Sequence, residues 1–345
     1  MHRPSRSRIH LIGLVPLLAL LPIATGCQLF TSEAPDIRKH PVHLVIDAGS
    51  SGTRFCPFAI QSGTCQLIDP KQDCFSVDSS GGLADLPEAE IFRVMEKGFQ
   101  RLDGVQIQEA VLLGTGGFRK LPASRQRTKL QIVESALQSQ FALARAEIIS
   151  GEEEARLAYL SVAAARGAKD HTILETGGAT VQLAGPGRKP ASVPAGLNAM
   201  RSLTGPPEAC RPETAPYQRR FDDCVLALND VLLEQDWYKD FFQKVDNSMP
   251  VFVLGSSWKS IFAIAGKSSL DLTELKDQAR RICNSSIANV EAEGVPPRFA
   301  PDSCYLHSYQ FLFLWSLHIG EFQQGDGSWP PGAAISDHFR SCSEN

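Results

Sequence analysis

Three absences narrow the functions that this chain can have. No basic stripe or tail stands out in a sequence with a formal net charge of -4, so nothing indicates nucleic-acid binding. No two cysteines have the CxxC spacing of zinc sites and thiol redox motifs. None of the Gly-rich turns that follow apolar runs continues into the Gly-Lys-Ser/Thr of a Walker loop. We therefore expect no nucleic-acid partner, no zinc or redox motif and no P-loop.

Length and composition predict a globular protein with two domains. The 345 residues exceed the size of an average domain. Hydrophobic residues make up 43% of the chain, which suffices for a large core and argues against disorder over most of its length.

The first 27 residues have the pattern of an export signal. Three arginines precede an apolar stretch over 11–21, which is shorter than the roughly 20 residues that span a bilayer. The following ATGC resembles a bacterial lipoprotein processing site, in which Cys27 becomes the lipidated N-terminus. We predict export, with a lipid anchor on Cys27 in a bacterial envelope. Ordinary secretion and an uncleaved signal anchor are the alternatives, and residues 28–41 would form a tether.

The other eight cysteines agree with export, because an oxidising compartment pairs cysteines into disulfides. They are Cys56, Cys65, Cys74, Cys210, Cys224, Cys283, Cys304 and Cys342. We expect the local pairs Cys210–Cys224 and Cys283–Cys304, and two further bridges of open pattern among the other four. Buried free thiols are the alternative.

Short apolar runs alternate with helical periodicity along the chain. This alternation predicts an α/β architecture with largely buried sheets. Helical spacing of apolar residues predicts helices over 86–102 and 124–140, and a buried helix over 304–322. A strand is predicted over 64–69, and the tail from Gly325 is expected to be a loop.

Two stretches of the chain share one sequence pattern. Residues 42–54 read VHLVIDAGSSGTR, and residues 171–183 read HTILETGGATVQL. In each, an apolar run leads to an acidic residue, Asp47 or Glu175, and then to a turn of Gly, Ser and Thr. The N–H groups of such a turn can converge on anionic oxygens, and glycine permits the close approach. The pair predicts two related lobes that hold a metal and a phosphate chain across a cleft.

Four segments resemble the signature motifs of the apyrases, the nucleoside triphosphate diphosphohydrolases, and follow one another in family order. They are DAGSSGTR at 47–54, LLGTGGFRKL at 112–121, ISGEEEARLAYL at 149–160 and LETGGATVQL at 174–183. The third segment resembles the exopolyphosphatase and guanosine-pentaphosphate phosphatase family even more closely. Both resemblances imply two ribonuclease-H-like lobes of the actin-like superfamily around a central cleft. We expect lobe I over 42–150 and lobe II over 151–345, with a return of the C-terminal helix to lobe I as an open alternative.

The apyrase resemblance implies hydrolysis of nucleoside tri- and diphosphates by an activated water, with Mg²⁺ or Ca²⁺. It implies that Glu154 is the base, with Glu153 as runner-up, and that Gln182 and Thr180 orient the water. Asp47 and Glu175 would hold the metal directly or through its waters. The residues implied in phosphate binding are Ser50, Ser51, Gly52, Thr53, Arg54, Thr115, Gly116, Gly117, Arg119, Gly177, Gly178 and Ala179.

Two positions depart from the apyrase pattern. Thr180 stands where apyrases usually have Ser, and either hydroxyl can bind a water. Glu175 stands where they usually have Asp, and its extra methylene moves the carboxylate about 1.5 Å further into the cleft. The alternatives are therefore a hydrolase of polyphosphate chains, and a nucleotide-binding surface protein that has lost catalysis. The oligomeric state is left open.

Overall fold

A computed structural model describes residues 36–345 except 51, 62–63, 70–73, 205–207, 211–219, 243–247, 296, 298 and 344–345. The predicted export signal with Cys27, most of the tether and the predicted phosphate ligand Ser51 lie outside the described residues. Within the described part of the chain, no helix combines the length and the hydropathy that crossing a membrane requires.

Lobe I is built on a five-stranded sheet with helices against it. Its elements are β1 (Val42–Ala48), β2 (Thr53–Ala59), β3 (Phe75–Ser76), α1 (Glu88–Gln100), β4 (Ile107–Gly114), α2 (Gly116–Arg119), α3 (Ala123–Gln138) and β5 (Ala144–Ile148). The strand order is β3-β2-β1-β4-β5, with β2 antiparallel to β1, and β4 and β5 parallel to it. The apolar residues of α1 and α3 face a core shared with this sheet, as their helical spacing predicts.

The rest of the chain, which we call lobe II, contains a six-stranded sheet and more helices. Its elements are α4 (Gly151–Arg166), β6 (Thr172–Thr176), β7 (Val181–Gly185), β8 (Arg188–Val193), α5 (Leu197–Thr204), α6 (Arg220–Leu233), α7 (Tyr238–Phe241), β9 (Val251–Leu254), α8 (Ser256–Ala265), β10 (Ser269–Asp271), α9 (Leu272–Cys283), α10 (Ile287–Ala292), α11 (Ser303–Ser316), β11 (Glu321–Gln324), α12 (Pro330–Ala334) and α13 (Arg340–Ser343). The strand order is β10-β11-β9-β6-β7-β8.

The two sheets repeat one topology. In lobe I the hairpin β1–β2 is followed by the parallel strands β4 and β5, and in lobe II the hairpin β6–β7 is followed by β9 and β11. Each first strand is fully buried and carries an acidic residue, Asp47 or Glu175, at its last position but one. The predicted fold class, α/β with two ribonuclease-H-like lobes around a cleft, is confirmed.

Two helices cross between the lobes. Helix α4 follows β5 of lobe I and packs against β6, β7 and β8 of lobe II. Helix α12 follows β11 of lobe II and packs against β1 and β2 of lobe I, and it also packs against α4. The α4–α12 contact is close, because a Cβ added at Gly332 would lie 1.9 Å from the carbonyl oxygen of Leu157. The two lobes therefore share a packed centre formed by these two helices.

Local structure differs from the sequence-based prediction near the C-terminus. The helix predicted over 304–322 is too long, because His318 takes a left-handed conformation (φ 58°) and the chain then forms β11, with Phe322 buried. The tail from Gly325 is not only loop, since it forms α12 and α13. The strand predicted over 64–69 is reduced to a single bridge between Leu67 and Ile60.

The eight described cysteines form four disulfides. Cys210–Cys224 and Cys283–Cys304 are the two local pairs that the sequence predicts. The other bridges are Cys56–Cys74 and Cys65–Cys342. The last of these joins residues 277 positions apart and ties the end of the chain to lobe I.

Candidate active site

The predicted site residues come from strand ends that share one edge of each sheet. Strands β1, β4 and β5 run parallel, so the turns after them, which begin near Asp47, Thr115 and Ser150, lie at the same edge. Strands β6, β9 and β11 do the same in lobe II, where Glu175 stands near the end of β6. The sheet topology therefore collects all four sequence motifs at facing edges.

Asp47 and Arg54 form a pair within the β1–β2 hairpin. Antiparallel pairing places them directly opposite each other. Nε of Arg54 donates a hydrogen bond to Oδ2 of Asp47 at 2.8 Å, and Nη2 contacts the same oxygen. The charge of Asp47 raises the pKa of Arg54, so the guanidinium stays ionised at the cleft. Arg54, predicted to bind phosphate, is thereby held next to Asp47, predicted to bind the metal.

Glu154 is buried at the start of α4. Ser150 caps this helix, since its Oγ accepts the N–H of Glu153 at 3.1 Å, and the cap fixes the first turn. Nη2 of Arg119 donates to Oε2 of Glu154 at 3.0 Å, while Nη1 of Arg119 donates to the carbonyl of Ile149 at 3.0 Å. Burial raises the pKa of Glu154 to about 7, although the charge of Arg119 lowers it. A carboxylate that titrates near neutrality is well matched to general-base catalysis.

Glu153, the runner-up base, has a different environment. Its carboxylate accepts hydrogen bonds from Arg156 at 2.7 and 2.6 Å and contacts Nε2 of His338 at 3.0 Å. Burial alone would raise its pKa, but the hydrogen bonds and charges of His338 and Arg156 outweigh burial and lower the pKa of Glu153 to about 2. So weak a base, already engaged by two cationic partners, is poorly suited to accept a proton. The geometry favours Glu154.

Glu175 is the third carboxylate of the cluster. It is only 7% exposed, and its Oε2 has no hydrogen-bond partner among the described residues. Burial and the negative charge of Glu154 raise the pKa of Glu175, the positive charge of Arg54 lowers it, and the net result is a pKa of about 8. Asp47 also acts on Glu175 and on Glu154. The structure thus brings Asp47, Glu154 and Glu175 into one electrostatic cluster with Arg54.

The Gly-rich turns of the two lobes meet. A Cβ added at Gly116 would lie 2.8 Å from the Cβ of Ala179, and one added at Gly178 would lie 3.6 Å from Oγ of Ser50. Within lobe I, a Cβ at Gly117 would lie 3.0 Å from the Cα of Ser50. Side chains at these glycines would crowd the neighbouring turns, so glycine permits the close approach of the turns.

The first turn in each lobe closes in the same way. The N–H of Gly49 donates to the carbonyl of Gly52 at 3.0 Å, and the N–H of Gly177 donates to the carbonyl of Thr180 at 3.0 Å. The turn after β4 is tied to β1, because the N–H of Thr115 donates to the carbonyl of Ala48 at 3.2 Å. The repeat that the sequence suggests therefore extends to individual hydrogen bonds.

Gln182 and Thr180 lie beside Glu175. Gln182 is directly opposite Glu175 in the β6–β7 pairing, and its Nε2 donates to Oγ1 of Thr180 at 2.6 Å. Oε1 of Gln182 is buried without a hydrogen-bond partner in the described part of the chain, as is Oγ1 of Thr53. Buried polar atoms are normally satisfied by protein or water. These two atoms and Oε2 of Glu175 mark where bound water or substrate would complete the site.

The donor set suits a hard divalent cation. Mg²⁺ and Ca²⁺ prefer carboxylate oxygens, and Mg²⁺ is usually bound by one or two carboxylates together with waters and substrate phosphate oxygens. Asp47 and Glu175 supply two buried carboxylates, one of them with an unpartnered oxygen. Among the described residues, no three His, Cys, Asp or Glu side chains are grouped as a complete metal site. These residues fit a cation that arrives with the substrate rather than a fully caged one.

Sequence reasoning missed one residue of this site. Nη2 of Arg54 donates to Oγ of Ser328 at 3.2 Å, and Ser328 is nearly buried. It lies in the turn after β11, in the sequence GDGSW. The preceding strand reads EFQQ and is not an apolar run, so no sequence pattern marks Ser328.

Comparison with known proteins supports the fold. No protein-family model matches this sequence, and the search of curated proteins finds no significant match. Among solved structures, a Ppx/GppA phosphatase from Aquifex aeolicus superposes with a TM-score of 0.64 at 16% identity, covering 87% of this chain and all of that one. An exopolyphosphatase from Cytophaga hutchinsonii gives 0.59 at 13% identity, with 85% and 96% covered. A nucleoside triphosphate hydrolase from Neospora caninum gives 0.56 at 12% identity, with 86% and 92% covered.

These likenesses bear on the two resemblances seen in the sequence. The similarity to the exopolyphosphatase and guanosine-pentaphosphate phosphatase family is supported at the level of the fold, whereas the apyrase assignment stays a prediction. Because the identities are this low, they establish the architecture alone. The chain has the two-lobed α/β fold of these phosphatases and nucleotide hydrolases.

Proposed function

We propose that this protein hydrolyses phosphoanhydride bonds at the end of phosphate chains, as exopolyphosphatases and guanosine-pentaphosphate phosphatases do. The observation that carries the proposal is the setting of Glu154. Its carboxyl is buried, has a pKa of about 7 and is held by Arg119 at the edge where the Gly-rich turns of both lobes meet. The solved phosphatase structures with the same fold add support.

In the proposed reaction, a water oxygen attacks the terminal phosphorus, the bridging P–O bond breaks, and Glu154 receives the proton of the water. Gln182 and Thr180 orient the water through the unpartnered Oε1 of Gln182 and through the hydroxyl of Thr180, to which Nε2 of Gln182 donates. Arg54 and the turn N–H groups bind the phosphate oxygens, whose charge shifts as the bond breaks. A divalent cation held by Asp47 and Glu175 would neutralise part of that charge.

A second candidate substrate is a nucleoside tri- or diphosphate. The DAGSSGTR turn over 47–54 favours it, because this motif resembles the first apyrase signature. The nucleoside triphosphate hydrolase with the same fold agrees with it. The chemistry at phosphorus is the same for both substrates, so only the groups beyond the terminal phosphates distinguish them.

A substrate panel tests the function. Phosphate release is measured from long-chain polyphosphate, tripolyphosphate, guanosine pentaphosphate, ATP and ADP, with Mg²⁺, with Ca²⁺ and with a chelator. We expect release from at least one phosphate chain with metal, none with chelator, and faster release from polyphosphate than from ATP. Faster release from ATP and ADP would favour the apyrase reading. Tight binding without any turnover would identify a nucleotide-binding protein that has lost catalysis and would refute the hydrolase.

We also propose that the protein is exported and anchored by a lipid on Cys27. The eight other cysteines support export, since all are paired in the structure, and stable disulfides belong to oxidising compartments. Mass spectrometry of the mature N-terminus of protein from a bacterial host tests this. Acylated Cys27, lost in Cys27→Ser, is expected, and an unprocessed Met1 in the cytosol would contradict it.

A further inference from the structure

The end of β11 reaches the same sheet edge as Glu175. Strand β11 runs parallel to β9, which runs parallel to β6, so the chain leaves all three strands at the cleft. Gly325 fixes this exit, because its N–H donates to the carbonyl of Val253 at 3.0 Å and an added Cβ would lie 2.2 Å from Cδ2 of Leu254. The next residues, up to Ser328, are therefore placed beside the site by the sheet itself.

The repeat between the lobes gives this segment a counterpart. In lobe I the third parallel strand, β5, is followed by Ser150 and by α4, which carries Glu154. In lobe II the third parallel strand, β11, is followed by Ser328 and by α12. The two helices pack against each other, and each lies on the sheet opposite to the one that contains the strand before it. Helix α4 thus carries Glu154, the proposed base, and helix α12 follows Ser328, which contacts Arg54.

Arg54 needs a second anchor to hold one orientation. Its contacts with Asp47 converge on a single oxygen, Oδ2, which leaves rotation about that point. The side chain is 41% exposed and carries the conformational entropy of a long cation. The bond from Nη2 to Oγ of Ser328 fixes the far side of the guanidinium.

The C-terminal segment that carries Ser328 is itself held firmly. After α12, Nδ1 of His338 contacts Glu147 at 2.7 Å and Nε2 contacts Glu153 at 3.0 Å. The N–H of Arg340 donates to Glu109 at 3.0 Å, and Cys342 is bonded to Cys65. All four partner residues of this segment come before β6, the first strand of the lobe II sheet, in the sequence. The segment is therefore fixed at both ends, by β11 in one lobe and by these contacts in the other.

From this geometry we propose that Ser328 is a positioning residue, which orients Arg54 towards the phosphate chain from the C-terminal segment. The inference rests on the proposed function, because Arg54 acts there as a phosphate ligand. It adds a residue outside all four sequence motifs, 274 positions from its partner. It also makes the chain's end a component of the site.

A double-mutant cycle tests the proposal with Ser328→Ala, Arg54→Lys and the combination. The matched control is Ser316→Ala, since Ser316 is as buried as Ser328 (8% against 9% exposed) but lies in α11. Steady-state hydrolysis of tripolyphosphate with Mg²⁺ gives KM and kcat, and calorimetry gives the affinity for tripolyphosphate without turnover. Thermal unfolding of each variant verifies folding.

We expect Ser328→Ala to raise KM about 3- to 10-fold, the range for losing one typical hydrogen bond, with a smaller change in kcat. In the Arg54→Lys background the same substitution should change KM less than twofold, because the guanidinium that Ser328 orients is already absent. Ser316→Ala should leave KM unchanged. Equal effects of Ser328→Ala in both backgrounds, or no effect in either, would overturn the proposal while leaving the hydrolase intact.

The two proposals fail in different ways. Wild-type protein that binds tripolyphosphate without hydrolysing it refutes the function, and the cycle on affinity then decides the role of Ser328. Wild-type protein that neither binds nor hydrolyses tripolyphosphate, polyphosphate or nucleotides overturns both.

Discussion

Arg119 and Glu154 are joined by a hydrogen bond of 3.0 Å between Nη2 and Oε2, although they come from different sequence motifs. The bond does two things. It fixes the carboxylate of Glu154, the proposed base. The positive charge of Arg119 also lowers the pKa of Glu154, which burial raises. Arg119 therefore sets the pH range in which Glu154 can accept a proton, in addition to any contact with phosphate.

Replacing Arg119 should move the pH dependence of hydrolysis. Glu154 acts as a base only when ionised, so kcat/KM should rise with pH through about 7 in the wild type. In Arg119→Gln the lowering charge is lost, and the rising limb should move to higher pH by about 1 unit or more. A pH profile of tripolyphosphate hydrolysis measures this. A limb that stays in place while the rate falls uniformly would assign Arg119 to phosphate binding alone.

Disrupting the Glu153–His338 contact should affect stability rather than chemistry. Burial lowers the pKa of His338, but the hydrogen bonds that it donates to the carboxylates of Glu147 and Glu153 outweigh burial and raise the pKa from 6.5 to about 9. This stabilisation is complete below about pH 6.5 and is lost as pH rises through about 9. The low pKa of Glu153 adds stability that is present above about pH 4.5 and is lost as pH falls through about 2.

His338→Gln should therefore lower the free energy of unfolding by roughly 1–3 kcal/mol at pH 6, and by less at pH 10. Denaturant unfolding at the two pH values measures the difference. A loss that is equal at both values would show that the imidazole contributes by packing and not by charge.

Glu175 should control the response to metal. Glu175→Gln keeps the shape of the side chain but removes its charge, so the Mg²⁺ concentration needed for activation should rise at least about 10-fold. Glu175→Asp keeps the charge on a shorter side chain and serves as the matched comparison. Hydrolysis rates measured over a range of Mg²⁺ concentrations at fixed tripolyphosphate give the Mg²⁺ requirement of both variants. An unchanged Mg²⁺ requirement in Glu175→Gln would remove this residue from the proposed metal site.

Removing the Cys65–Cys342 disulfide should weaken both the fold and the site. Among the four disulfides of the described residues, this one closes the longest loop, so Cys65→Ser with Cys342→Ser should lower the free energy of unfolding by about 2–4 kcal/mol. KM should rise as well, because the segment that carries Ser328 loses its anchor. The control is Cys283→Ser with Cys304→Ser in lobe II, which should reduce stability without changing KM. Equal changes of KM in both pairs would contradict a specific role for the C-terminal segment.

Much of the site could be read from the sequence because it repeats locally. The two hairpins that begin with β1 and β6 each place an apolar strand, an acid and a Gly-rich turn within about a dozen residues, so pattern and composition reveal them. The partner of Asp47 could also have been predicted. A tight hairpin after β1 requires the residue seven positions on, Arg54, to lie opposite it.

The rest depends on contacts that no local pattern shows. Strand β11 is short, presents one buried Phe322 and directly follows a helix, so its periodicity is too brief to distinguish from helix. The place of Ser328 follows from the sheet order of lobe II and from a contact over 274 positions. The resemblance already implies Glu154 rather than Glu153, but the contact that makes Glu153 unsuitable comes from His338, which is 185 positions away in the sequence.

The most direct test of the account is the turnover of Glu154→Gln beside Glu153→Gln. Phosphate release from tripolyphosphate with Mg²⁺ should fall at least about 100-fold in Glu154→Gln, because a near-isosteric amide is a poor base. Binding of tripolyphosphate should persist in that variant, and Glu153→Gln should keep most of its activity. Near-normal turnover in Glu154→Gln would contradict the central claim that this buried carboxylate takes the proton of the attacking water.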